Sequence, residues 1–345
     1  MLASMLMESA FGAPDVSPEV LSRYNHEDGA ALIAMESAAD LHDIFVEGFI
    51  GMEELEFQQY RANMEGASED VMEGIGDKIV SSAKNAIAKI KEFIKKLWEK
   101  VKGFFHNVRR FLDGIFMNGT DFVKKYESEL KKLKLDDGCT YKMYKYTIEE
   151  KTKKMVTTNK KTVDDALAEW AARYKGVGEE GYHVKKDVGI TDKDNKIVTD
   201  FKESIKKDYN VSNLDDTSKI REAVWSSLRG GATGEADKQD IKVEINKIIT
   251  ALKQAPAQLK IVTDMAKDND RLYSGILKHL DAYAKLAESD KAKAIANAAR
   301  KLSSQVSQVQ TIQNMITNET KNAMGERTKA YKAACMTAFK YKPKK

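Results

Sequence analysis

Residues Lys78–Phe116 read KIVSSAKNAIAKIKEFIKKLWEKVKGFFHNVRRFLDGIF, and the spacing of their apolar side chains decides the fold class. From Val80 onward, apolar residues recur at alternating steps of three and four: Ala83, Ile87, Ile90, Ile94, Leu97, Val101, Phe104, Val108, Phe111 and Ile115. Such a heptad seam predicts a continuous amphipathic helix, roughly 60 Å long at 1.5 Å per residue. Asp77 is placed to cap its start, after the breakers Gly74 and Gly76. Ile79, Phe93, Trp98, Phe105 and Leu112 flank the core positions, so the apolar face is wider than a two-stranded seam requires. Lys84, Lys91, Lys95, Lys102, Arg109 and Arg110 lie off the seam and form a basic face. Three partners for the apolar face remain open: the protein's own helices, a second copy, or a membrane interface.

Charge divides the chain at the same place. Residues 1–76 carry sixteen acidic side chains and only Arg23 and Arg61 as basic ones, a balance of −14. The remainder carries 55 basic and 37 acidic residues, a balance of +18, and Lys78 is the first lysine of the chain. The overall net charge of +4 conceals this inversion. With 32% charged residues, 42% hydrophobic residues and 4 prolines in 345, the composition is that of a globular, helix-biased protein. No run of 18 apolar residues marks a membrane span. The opening MLASMLMESAFGAP has Glu8 and no early Lys or Arg, unlike a secretory signal peptide. Cys139 and Cys335 have no metal or redox spacing and read as free thiols.

The expected organisation is mainly α with a small α+β module: a long amphipathic central helix and a C-terminal helical bundle. Four segments follow: an acidic leader (1–76), the basic amphipathic helix (77–117), the α+β module (118–235), and the bundle with its basic tail (236–345). In the leader, Ser17-Pro18-Glu19 predicts a helix opening, and Leu41, Ile44, Phe45, Phe49 and Leu55 predict an amphipathic helix over Asp40–Tyr60. In the module, Cys139–Ile148 alternates aromatic and polar residues and predicts a strand, with Lys154–Thr158 as its hairpin mate. Thr162 and Asp165 predict the start of a helix over Val163–Tyr174. Tyr182–Val188 and Lys196–Phe201 predict further strands. A helix over Thr217–Leu228 should end at Gly230-Gly231, with Gly230–Gly234 as a linker. Beyond it Asp240–Phe339 predicts three to five antiparallel helices, the first broken or kinked at Pro256.

No catalytic or cofactor constellation accompanies these elements. His26, His42, His106, His183 and His279 are scattered, without HExxH or any His/Cys pairing. The stretch Gly230–Glu235 lacks the Gly-Lys-Ser/Thr of a phosphate loop, and Asp192–Asn195 lacks the glycine and distal glutamate of a calcium loop. The sequence therefore predicts a non-enzymatic protein without cofactor or metal. The excess of lysine after residue 76 predicts weak, salt-sensitive contact with phosphates at most.

The leader holds one further pattern. Glutamate preceded two residues earlier by Ala, Gly or Ser occurs at Glu19, Glu36, Glu53 and Glu69, against one site, Glu180, in the rest of the chain. That is 4 of 11 glutamates before residue 77 and 1 of 16 after it. An acidic leader with such sites on a basic helical body resembles the internal and structural head proteins of large tailed bacteriophages, in which a prohead protease cuts after Glu in this context. The resemblance implies a virion protein assembled in the bacterial host cytoplasm and trimmed during head maturation. Its implied partners are other head proteins, the prohead protease and, non-specifically, packaged DNA. Glu69 and Glu36 are the favoured cleavage positions, then Glu53 and Glu19. Two alternatives stand beside it: a membrane-active protein working through residues 78–116, and a cytoplasmic helical adaptor with an acidic docking tail.

Overall fold

A computed structural model describes residues 54–55, 57–62, 68–133, 139–178, 196–213, 216–253, 255–286 and 292–340. The seam belongs to α1 (Glu69–Lys125), which is longer than expected at both ends. Gly74 and Gly76 lie inside it, as do Gly103 and Gly114, and a Cβ at any of the four would meet open space. Solvent-side glycines therefore weaken this helix without interrupting it. Asp77 is accordingly interior, and Ser68, extended at φ −64° and ψ 156°, occupies the N-cap position. Lys124 and Lys125 in the last turn complement the helix dipole.

After α1 come the short α2 (Glu127–Lys132), β1 (Thr140–Met143) and α3 (Ile148–Gly178). Then follow α4 (Lys196–Tyr209), α5 (Thr217–Leu228), β2 (Gln239–Lys242), α6 (Ile245–Lys253), α7 (Ala255–Leu286) and α8 (Ala292–Lys340). The architecture is mainly helical with one antiparallel two-stranded sheet, pairing Tyr141 with Ile241 and Met143 with Gln239.

Several local expectations are corrected. The strand expected over Cys139–Ile148 stops at Met143, and its partner is not Lys154–Thr158 but Gln239–Lys242, about a hundred residues on. Lys154–Thr158 is helical, and Thr162 and Asp165 sit in the middle of the same helix, α3, rather than at a start. There the Thr152, Thr157 and Thr162 hydroxyls donate to carbonyls one turn back, so threonine does not break the helix. Lys196–Phe201 opens α4, whose buried Val198, Phe201, Ile205 and Tyr209 recur at helical spacing. Tyr182–Val188 lies outside the described residues. Asp240 and Ile241, expected at a helix start, are in β2.

Other expectations hold. Helix α5 spans Thr217–Leu228, capped by the Asp216 carboxylate, which accepts from the Ser218 and Lys219 amides at 2.9 and 3.2 Å. It ends at Gly230 and Gly231, whose φ values of 71° and 90° suit glycine. A Cβ on Gly230 would also lie 2.4 Å from the Lys145 carbonyl oxygen. The break near Pro256 separates α6 from α7.

Packing places α8, not α1, at the centre. Helix α1 runs antiparallel to α7: Lys91 pairs with Asp281, and the Trp98 indole donates to Asp270 at 2.7 Å. It runs parallel to α8, where Lys321 stands over Phe111. Helix α3 runs parallel to α7, tied by Gln258–Glu149 at 2.9 Å and Arg271–Asp164 at 2.7 Å. At Gly275 these two helices come so close that a Cβ would sit 2.4 Å from a Leu167 methyl. Helix α8 touches α1, α3, α5 and α7, and most of its side chains from Leu302 to Thr328 are buried.

One hydrophobic core joins Ile87, Ile94 and Val101 of α1 to Trp170 of α3, Phe201 of α4, Tyr283 of α7 and Ile316 of α8. It thus crosses residues 77–117, 118–235 and 236–345 alike. A second, smaller core gathers Val123, Leu130, Cys139, Met143, Leu252 and Cys335 around the sheet.

Candidate functional site

Burying the seam of α1 turns its polar side outward. Ala83, Ile87, Ile90, Ile94, Leu97, Val101, Phe104 and Val108 are buried, and Val80 and Ile115 are half-buried. Ile79, Phe93, Phe105 and Leu112 are buried as well, which explains the width of the apolar face: it meets two helices. Phe111 departs from the seam, with 43% of its surface exposed. Its ring lies against Gly325 of α8, where a Cβ would approach it to 3.3 Å, and the Lys321 ammonium stands 5.0 Å from the ring centroid.

From Lys78 to Lys125 the helix carries twelve Lys and Arg against four acidic residues. Lys84, Lys95, Lys102, Arg109 and Arg110 are exposed. Lys102 lies 3.7 Å above the Trp98 ring and 3.0 Å from Glu99, and Arg109 approaches Asp113 at 3.9 Å. Lys91 departs from the group: half-buried, it is committed to Asp281 of α7. What remains is a long positive stripe held rigid by the core beneath it. Its exposed side chains are solvated.

Of the candidate processing positions, Glu69 is the first residue of α1, and Glu19, Glu36 and Glu53 lie outside the described residues. Asp70–Gly76, expected to precede the helix, forms its first two turns, with Asp70 and Glu73 exposed. A first helical turn frays at low cost because its amides lack intrahelical partners. Residues 54–55 and 57–62 are helical, overlapping the end of the helix expected over Asp40–Tyr60 and running two residues past it, and Leu55 packs half-buried on the main core.

A cleft of about 420 Å³ opens where α3 begins and α4 and α5 end, lined by Thr147, Glu150, Lys151, Asn210, Ser226 and Ser227 among others. Its polar groups are mostly spent on joining the three helices. Thr147 donates to the Ser227 carbonyl, Ser227 to the Tyr209 carbonyl at 2.8 Å, and Lys151 to the Asp208 carbonyl. Glu150 pairs with Lys154 at 2.9 Å. Nucleophile and base are not brought together there. Both cysteines are buried, and burial pushes the Cys335 thiol up to about 11, leaving it protonated and inert. Among the described residues no cluster of His, Cys, Asp or Glu could hold a metal, and no helix is long and apolar enough to cross a membrane.

The charged groups that sequence reasoning missed line α8. Glu319, 5% exposed, receives Arg221 of α5 at 2.7 Å. Glu326 receives Arg229 at 2.6 Å, the buried guanidinium lying 4.4 Å above the Trp225 ring. Arg327 pairs with Glu149 of α3, which also accepts from Gln258. Each partner lies about a hundred residues or more away, so no local pattern announces it. Comparison with protein-family models, with curated proteins and with solved structures finds no match for this chain.

Proposed function

We propose that this chain is a non-enzymatic structural or internal component of a large tailed-phage head, made with an acidic leader that a prohead protease removes. The observation that carries the reading is the charge inversion at Lys78, which falls where the outward stripe of α1 begins. While attached, a leader with a balance of −14 offsets the positive stripe by simple attraction. Its removal leaves a positively charged, rigid face beside packaged DNA, with phosphate contacts that weaken steeply with salt. Other head proteins are the remaining partners.

Cleavage after Glu69 removes nearly all the leader's acid, whereas cleavage after Glu36 retains the Leu55 contact with the core. Mass spectrometry of the protein from its native particle decides between them. A mature N-terminus at Asp70 or at Ser37 is the expected result. Recovery of the intact N-terminus, with abundant uncut peptides spanning Arg23 to Arg61, overturns processing and most of this reading with it.

The membrane-active alternative requires the apolar face of α1, which is buried against α7 and α8, to leave the bundle. Strong liposome binding by a 77–117 peptide and by the intact protein alike would favour it. A cytoplasmic adaptor would instead keep its acidic tail and bind a protein partner through it.

A further inference from the structure

Three asparagines occupy core positions in three different helices. In α3 the buried positions Ile148, Thr152, Met155, Asn159, Val163, Ala166 and Trp170 recur at steps of three and four. In α7 the corresponding series is Gln258, Val262, Met265, Asn269, Leu272 and Ile276. Asn314 lies in the all-round buried part of α8. The three are 1%, 2% and 0% exposed.

They also lie at one level. Tyr273 of α7 donates to Gln310 Oε1 of α8 at 3.1 Å, and these helices run antiparallel. Four residues before Tyr273 is Asn269, and four after Gln310 is Asn314, so both sit one turn from that bond in the same direction. Between α3 and α7, Glu149–Gln258 and Asp164–Arg271 bracket the parallel register, placing Asn159 within about a turn of Asn269.

The amides are oriented and incompletely used. Gln310 Nε2 donates to Asn314 Oδ1 at 2.7 Å, which turns Asn314 Nδ2 away as an unspent donor. Asn159 Nδ2 and both polar atoms of Asn269 likewise have no protein partner. Buried amides without partners are strongly disfavoured, and native proteins satisfy them with internal water that makes two to four bonds. An asparagine at a core position of packed helices sacrifices stability and fixes alignment, because only one register brings the polar groups together.

We infer that Asn159, Asn269 and Asn314 form one hydrated polar layer, in which internal water joins the three amides and holds α3, α7 and α8 in a single register. The layer predicts that the combined replacement costs less than any single one. Asn159→Leu, Asn269→Leu or Asn314→Leu alone strands the remaining amides, whereas replacing all three leaves only Gln310 Nε2 without its acceptor.

The test is thermal melting of the full-length chain and its variants, with register read by cross-linking. Each single variant should melt a few degrees below wild type, and the triple variant above every single one. The cysteine pair Asp164→Cys with Arg271→Cys should cross-link in the asparagine background. In the triple-leucine background, Asp164→Cys with Lys278→Cys, one heptad away, should also form a product, identified by mass spectrometry. A crystal structure of the wild-type chain should show water within bonding distance of Asn269. Additive changes, failure of the triple variant to fold, an unchanged cross-link pattern, or direct amide–amide bonds with no water each overturn the layer.

Discussion

Helices α1 and α8 are the two longest of the described elements, and they reach burial by opposite routes. Helix α1 has an unbroken apolar stripe, buries that stripe alone and leaves its other side basic and wet. Helix α8 is rich in Ser, Thr, Gln and Asn and is nonetheless enclosed on nearly all sides from Leu302 to Thr328. It manages this by satisfying many of its polar groups internally. Ser303, Thr317, Thr320 and Thr328 donate to carbonyls one turn back at 2.8–2.9 Å, and Glu319, Glu326 and Arg327 take charged partners from α5, α3 and the turn after α5. The number of neighbours, rather than the apolar content of a helix, determines how much of it is buried.

The largest test of this contrast is a charge in the α1 stripe. Ile94→Asp places an unpaired carboxylate at a fully buried position and should cost about 4 kcal/mol or more, read by denaturant unfolding. An unchanged midpoint would mean that the stripe is not buried. In α8 the equivalent intervention removes a partner: Arg221→Ala leaves Glu319 buried and uncompensated, at a cost of about 3 kcal/mol. A double-mutant cycle with Glu319→Ala should show coupling above about 1 kcal/mol. Additive losses would reduce the pair to a bystander.

Close approach gives a smaller effect. Gly275→Val drives methyls into Leu167 and should cost about 2 kcal/mol, recovered in part by Leu167→Ala. The outer face of α1 should be nearly silent in stability. Lys84→Glu with Lys95→Glu and Arg110→Glu should change unfolding by less than about 1 kcal/mol in total. The same triple variant should bind DNA far more weakly than wild type at low salt, in a filter or anisotropy assay. Equal DNA binding by the two would detach the stripe from the proposed function.

What could be read from residues alone was whatever short-range periodicity and local capping control. The seam from Val80 to Ile115, the helix over Thr217–Leu228, its glycine end at Gly230-Gly231 and the break near Pro256 all arise within short stretches of chain. The charge inversion at Lys78 is likewise a property of order along the chain. The pairing of Thr140–Met143 with Gln239–Lys242 belongs to the tertiary structure, because a strand's partner is chosen by the helices that carry it into place. Lys154–Thr158 and Lys196–Phe201 offered β-like residues over short windows, and packing of the longer helical repeats overrode them. The centrality of α8 was invisible for the same reason: its sequence resembles an exposed helix, and only the surrounding α1, α3, α5 and α7 supply the partners that make its polar side chains tolerable inside.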